Sequence, residues 1–184
     1  LHWLEIGNRS APPEEMLLLA SMTSVRQLIF HDTVMTGSDL SPIAGMKQLT
    51  LLSLIGGNLD DADMVDLSNC SRLQTLNLEG NNLTGKNLAG KLPGSSIQSL
   101  DLGMNPLVPE VYDVIDSLPQ LQTLMVGDLP LTSKAVEAAG KRPSLQGIYC
   151  GRLDTVKPVE LARLLLQRPK LSLNGIFETA QGPL

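Results

Sequence analysis

Apolar residues recur in this chain with a period of 24, and that period restricts the possible folds more than any other property of the sequence. Stepping from Leu1, the repeat starts are Leu1, Val25, Leu49, Leu73, Ile97, Leu121 and Leu145. The fourth and sixth positions of each copy are Leu4/Ile6, Leu28/Phe30, Leu52/Leu54, Leu76/Leu78, Leu100/Leu102, Leu124/Val126 and Ile148/Cys150. All of these positions are apolar in a chain that is 42% apolar, an arrangement with a chance probability on the order of 10⁻⁸. Alternation such as Leu76-Asn77-Leu78-Glu79 is the period of a short strand with one face buried. The remainder of each copy has room for a turn and a short helix, and the stretches 12–20, 109–117, 133–139 and 158–166 have helical character, with Pro at or near the start in three of them. A strand, a crossover and another parallel strand, repeated at constant length, stack into a curved α/β solenoid. Short strands then line its concave face and short helices its convex face.

The most regular copies read Leu73-x-x-Leu76-x-Leu78-x-x-Asn81-x-Leu83 and Ile97-x-x-Leu100-x-Leu102-x-x-Asn105-x-Leu107. This pattern resembles the leucine-rich repeat family, and the spacing and helical convex segments resemble its ribonuclease-inhibitor-like and GALA-type repeats. The resemblance implies one domain of about eight repeats over residues 1–176, starting near 1, 25, 49, 73, 97, 121, 145 and 168. The last copy, carrying Leu171, Leu173 and Ile176, is offset by 23 residues, and 177–184 form a tail. It also implies an asparagine ladder, in which a side-chain amide bonds the backbone where the chain leaves each strand. That slot holds Arg9, Thr33, Gly57, Asn81, Asn105, Leu129, Leu153 and Ile176. Thr33 can supply part of the role through its hydroxyl. In the last three copies the backbone must find other partners, so local irregularity is expected there.

Charge and composition exclude several function classes. A net charge of -5 and only five aromatic residues leave neither a basic stripe for phosphates nor a stacking platform for bases, so nucleic acid is not an expected partner. No apolar run reaches bilayer length, so no membrane span is expected. Cys70 and Cys150 lie in different copies, too far apart for a disulfide, and read as buried thiols. That fits a reducing cytosol, of its own or a host cell, and a bacterial surface as well. Three glycosylation sequons begin at Asn8, Asn69 and Asn82, where chance would give about one, and they carry little weight. The chain opens inside a strand without an initiator Met, as an excised piece or processed product would. A monomer is expected, with no cofactor.

Catalytic motifs are weak. Gly80 to Asn87 comes within one residue of a phosphate-binding loop, with Asn87 where a Mg²⁺-holding hydroxyl belongs; yet Asn81 and Leu83 are ordinary repeat residues there. His31 with Asp32 reads as a solvated pair at a strand end, and neither His2 nor His31 has a triad or metal spacing. Acid/base chemistry by Glu79 and Asp101 would need a water-excluding pocket that nothing in the pattern builds. No enzyme is expected.

The third, fifth, seventh and eighth positions of each copy point from the concave face. They place an apolar cluster of Trp3, Ile29, Leu51 and Ile55 near the N-terminal end, a polar centre of Asn77, Glu79 and Asp101, and a second apolar cluster of Met104, Met125 and Tyr149 with Arg152 beside it. Parallel sheets normally bury both faces, so an open one carrying large apolar residues suggests docking. The leading expectation is a protein-binding scaffold with these residues as its partner-binding surface. By resemblance to effector repeats it could be the recognition part of a larger bacterial effector or surface protein. The alternatives are a spacer with no partner of its own and, least supported, a nucleotide-binding enzyme using the 80–87 loop.

Overall fold

The structure, a computed structural model, describes residues 2–7, 13–94 and 96–176. Leu1, the sequon residue Asn8, the slot residue Arg9, Pro12 and the 177–184 tail lie outside the described residues. The strands are β1 (Trp3–Gly7), β2 (Gln27–His31), β3 (Leu51–Ile55), β4 (Thr75–Asn77), β5 (Ser99–Asp101), β6 (Thr123–Met125), β7 (Gly147–Arg152) and β8 (Ser172–Ile176). They form one parallel sheet in chain order. From β1 to β7 the pairing offset is 24 residues: Leu4 lies opposite Leu28, Leu28 opposite Leu52, and so on to Leu124 opposite Ile148.

Alternation within the strands sends the first, fourth and sixth positions into the interior. From the second copy to the seventh they are all buried, and Leu4 and Ile6 of the first copy are half-buried against the same core. Leu73, Leu76 and Leu78 have no exposed surface. The core is therefore a continuous column of aliphatic side chains along the stack, closed on its far side by the connecting segments.

Those segments follow local sequence. The helices are α1 (Pro13–Ser21), α2 (Gly37–Leu40), α3 (Val114–Ser117), α4 (Ser133–Lys141) and α5 (Pro158–Gln167). In α4 the Thr132 hydroxyl caps the first turn by accepting the Ala135 N–H at 3.1 Å, and Ala135, Val136, Ala138 and Ala139 form its buried stripe. The stretch 109–117 begins as a 3-10 turn, Pro109–Asp113, before α3. The third and fourth copies hold the segments poorest in helix: a turn at 61–63 and a 3-10 turn at Leu88–Lys91. Here Lys91 substitutes for helix packing, its Nζ donating to the carbonyls of Asp61 at 2.9 Å and Met64 at 2.6 Å in the preceding copy.

The last copy departs from the expected 23-residue offset. Arg168-Pro169-Lys170-Leu171 repeats Arg142-Pro143-Ser144-Leu145 at a spacing of 26, and Leu171 is buried as Leu145 is. α5 has ten residues where α4 has nine, and the extra length delays the strand. The sheet accordingly sets Leu173, rather than Leu171, opposite Ile148. The register then shifts between Tyr149 and Arg152, so that Arg152 faces Ile176. This is the irregularity expected where the asparagine is missing.

Candidate functional site

The sheet face turned away from the helices carries rows of side chains set by the pairing register. The central row is Glu5, Ile29, Ser53, Asn77, Asp101, Met125, Tyr149 and Asn174, with neighbours about 4.8 Å apart. In the seventh-position row, Gly7, His31, Ile55 and Glu79 are followed by glycine in three successive copies: Gly103, Gly127 and Gly151. Central-row side chains stand on one side of this glycine line and Met104 and Asp128 on the other, and Gly103 and Gly127 give a floor of bare backbone.

The result is a depression of about 530 Å³ over the C-terminal half of the sheet. Its wall is Asp101, Met125, Tyr149 and Asn174 from the central row, Glu79 at one end, Met104 and Asp128 at the strand exits, and Cys150, Gly175 and Ile176 at the far end. Met104 is 77% exposed and Tyr149 44%. Glu79 and Asp101 both reach Gly103: a Cβ on that glycine would lie 3.2 Å from Asp101 Oδ1 and 3.8 Å from Glu79 Cγ. Asp101 Oδ1 accepts the Gly103 N–H at 2.9 Å, and Asn77 Oδ1 accepts the Glu79 N–H at 2.8 Å. These local bonds orient the side chains of Asp101 and Asn77.

Of the residues expected on this surface, Glu79, Asp101, Met104, Met125 and Tyr149 line the one depression. Asn77 lies on the sheet face next to it. Arg152 is committed elsewhere, its Nε and Nη2 donating to the two carboxylate oxygens of Asp154 at 3.0 and 2.7 Å. The N-terminal group is looser. Ile29, Leu51 and Ile55 are half-buried around the buried Ser53. Trp3, 49% exposed, is separated from Leu51 by Gln27 in its row. His31 does not pair with Asp32: its Nε2 lies 3.0 Å from Glu5 Oε1 across the adjacent strands, while Asp32 turns the chain out of the strand with φ of 48°. Asp128, Asn174, Ile176 and the glycine floor were not singled out from sequence, although glycine at one repeat position in three successive copies is a legible signal.

No protein-family model matches the chain, and no curated protein matches it by sequence. Among solved structures, it is similar to an internalin from Listeria monocytogenes, with a TM-score of 0.52 and 18% identity over 89% of this chain and 51% of that one. The chain folds as a leucine-rich repeat solenoid. It spans about half the length of the internalin, and the likeness is one of fold.

Within the repeat solenoid, the asparagine slot works as the resemblance implied in the two copies that keep it. Asn81 Nδ2 donates to the carbonyls of Leu54, Leu78 and Glu79 at 2.7, 2.9 and 3.2 Å, and its Oδ1 accepts the Leu59 N–H at 3.1 Å. Asn105 repeats the pattern one copy on, bonding Leu78, Leu102, Gly103 and the Leu83 N–H. Thr33 supplies one of these bonds, to the His31 carbonyl at 3.0 Å.

The same ladder occupies the phosphate-loop lookalike. The amides of Gly80, Asn82 and Leu83 are given to the Gly103 carbonyl, the Leu59 carbonyl and Asn105 Oδ1. Those of Gly85 and Lys86 go to Asp61 Oδ1 and Thr84 Oγ1. The recess beside Gly85–Asn87 is walled by Glu110 and Asp113, which repel phosphate. Among the described residues, no three of His, Cys, Asp and Glu are grouped to hold a metal. Burial pushes both thiols, Cys70 and Cys150, up to about 11. A buried thiol of that kind is a packing group, not a nucleophile.

Proposed function

We propose that this chain is a non-catalytic protein-binding scaffold that holds its partner on the open face of the sheet, centred on the depression between Glu79 and Tyr149. The observation that carries the reading is the exposure of Met104 and Tyr149 beside Met125 over a glycine floor. Large apolar side chains grouped around a concavity favour a covering partner, because their contact with water is unfavourable. Methionine and tyrosine suit such a surface: the thioether side chain adapts its shape, and the phenol combines an apolar ring with a polar tip. The half-buried Ile29, Leu51 and Ile55 extend the contact toward the N-terminal strands, with Asn77 between.

The test is affinity capture from cell lysate with the unmodified chain and with a Met125→Ser/Tyr149→Ser variant whose thermal unfolding matches it, retained proteins being identified by mass spectrometry. A protein held by the first and lost by the second is the expected result. Identical sets of retained proteins would refute this face as the docking surface and favour the spacer reading.

A further inference from the structure

The depression has two kinds of wall, and together they select the chemistry of what fills it. Glu79, Asp101 and Asp128 bring carboxylates to a surface otherwise lined by Met104, Met125 and Tyr149. None of the three carboxylates is in an ion pair among the described residues, and the basic side chain at the neighbouring strand exit, Arg152, holds Asp154 through two bonds. A purely apolar occupant would strip water from Glu79 and Asp101 and return no hydrogen bond, which is costly for a charged group. An acidic occupant is repelled. A side chain with an aliphatic stem and a cationic head satisfies both walls.

We propose that the partner presents an arginine or lysine into this depression, its head between Glu79 and Asp101 and its stem against Met104 and Met125. Tyr149 lies two strand spacings from Asp101, about 10 Å, and takes the residue next to the inserted one. Gly103 makes the site possible, because a side chain there would stand against the Asp101 carboxylate and the Glu79 stem. A guanidinium is the better fit of the two heads, since its planar fork offers several donors to two carboxylates at once. The proposal rests on the docking reading above and specifies the partner's chemistry.

The test is selection of a random-peptide display library on the folded chain, followed by rebinding of the selected peptides to two variants. Glu79→Gln/Asp101→Asn removes charge but keeps shape, and the side-chain amide oxygen it places at position 101 can still accept the Gly103 N–H. Met125→Ser/Tyr149→Ser removes the apolar wall. Selected peptides are expected to be enriched in arginine and lysine and to weaken as salt is raised. They should lose about tenfold or more in affinity on the amide variant, and replacing the key arginine by citrulline should cause a similar loss. Peptides that need Met125 and Tyr149, yet show no basic enrichment and bind the amide variant equally well, would overturn the proposal and leave the docking face standing. If no selected peptide depends on Met125 and Tyr149, both readings fall.

Discussion

Asn81→Ala is the substitution whose cost can be worked most closely from the structure. The side chain makes four bonds, but two of its acceptors keep other partners: the Leu78 carbonyl still receives Asn105 Nδ2 at 2.9 Å, and the Glu79 carbonyl still receives the Gly56 N–H at 3.0 Å. The Leu54 carbonyl and the Leu59 N–H lose theirs, in a site where Asn81 is only 5% exposed. At about 1 to 3 kcal/mol for each buried group left unpaired, the expected cost is about 2 to 6 kcal/mol. Asn77→Ala removes one bond, to the Glu79 N–H on the half-exposed sheet face, and should cost about 1 kcal/mol or less. Asn81→Thr should fall between, since Thr33 shows that a hydroxyl in this slot supplies a single donor. Urea unfolding followed by circular dichroism gives the ranking, and hydrogen exchange reads the mechanism at the Leu59 amide, which should exchange faster in Asn81→Ala. If Asn81→Ala costs no more than Asn77→Ala, or the Leu59 amide keeps its protection, the Asn81 side chain does not hold these backbone groups.

Three further outcomes follow from the packing. Leu76→Ala and Leu100→Ala should each cost about 2 to 5 kcal/mol in the same urea assay, while Asp101→Ala on the open face costs far less; equal losses would mean that the inward and outward positions are misassigned. Both thiols are held near 11 by burial, against an ordinary value of 9.0, so folding keeps them protonated where the unfolded chain would ionise. Their contribution is complete below about pH 9 and is lost as the pH rises toward 11, by at most about 3 kcal/mol per thiol; a Cys70→Ala/Cys150→Ala variant should show a shallower alkaline loss in unfolding free energy. Finally, a Cβ on Gly151 would lie 2.2 Å from the Asp128 carbonyl oxygen, whereas one on Gly103 would meet a movable carboxylate at 3.2 Å. Gly151→Ala should therefore lower the thermal midpoint by several degrees and Gly103→Ala by little, and similar midpoints would count against the close backbone approach.

The strands and their inward residues were legible because a strand with one buried face needs only alternation, and the 24-residue period repeats that test seven times. Helices were legible where a local signal marked them, as Pro158 does in opening α5. The segment at 61–63 carries none, and what orders that side of the stack is Lys91, reaching back 30 and 27 residues to two carbonyls. No local window contains that bond. The pairing of His31 with Glu5 escaped for a similar reason: adjacency in sequence suggested Asp32, but in a parallel sheet the nearest side chains lie on the neighbouring strand. The site residues Met125, Tyr149 and Asp101 could be aligned from the period alone. The depression depends also on a row of glycines, which the apolar period does not register although they recur at the same 24-residue step.

In its last two copies that row coincides with the missing asparagines, whereas Gly103 lies in the copy that keeps Asn105. With Leu129 and Leu153 in the slot, no side-chain amide is there to satisfy the backbone, and main-chain bonds take over: Leu131 N–H to the Arg152 carbonyl at 2.8 Å, Gly151 N–H to that of Leu129 at 2.9 Å, Leu153 N–H to that of Ile176 at 3.0 Å. Direct bonding of this kind draws successive copies together at the strand exits. At Gly151 the approach is close enough that only glycine fits, and Gly127 takes a φ of 54°, which also favours glycine. β7 runs to six residues where β4, β5 and β6 have three, and the register slips against β8 to accommodate it. Side chains are thereby excluded at Gly127 and Gly151, where neighbouring backbone stands against the would-be Cβ atoms, and Met104 and Tyr149 rise beside a floor of main chain.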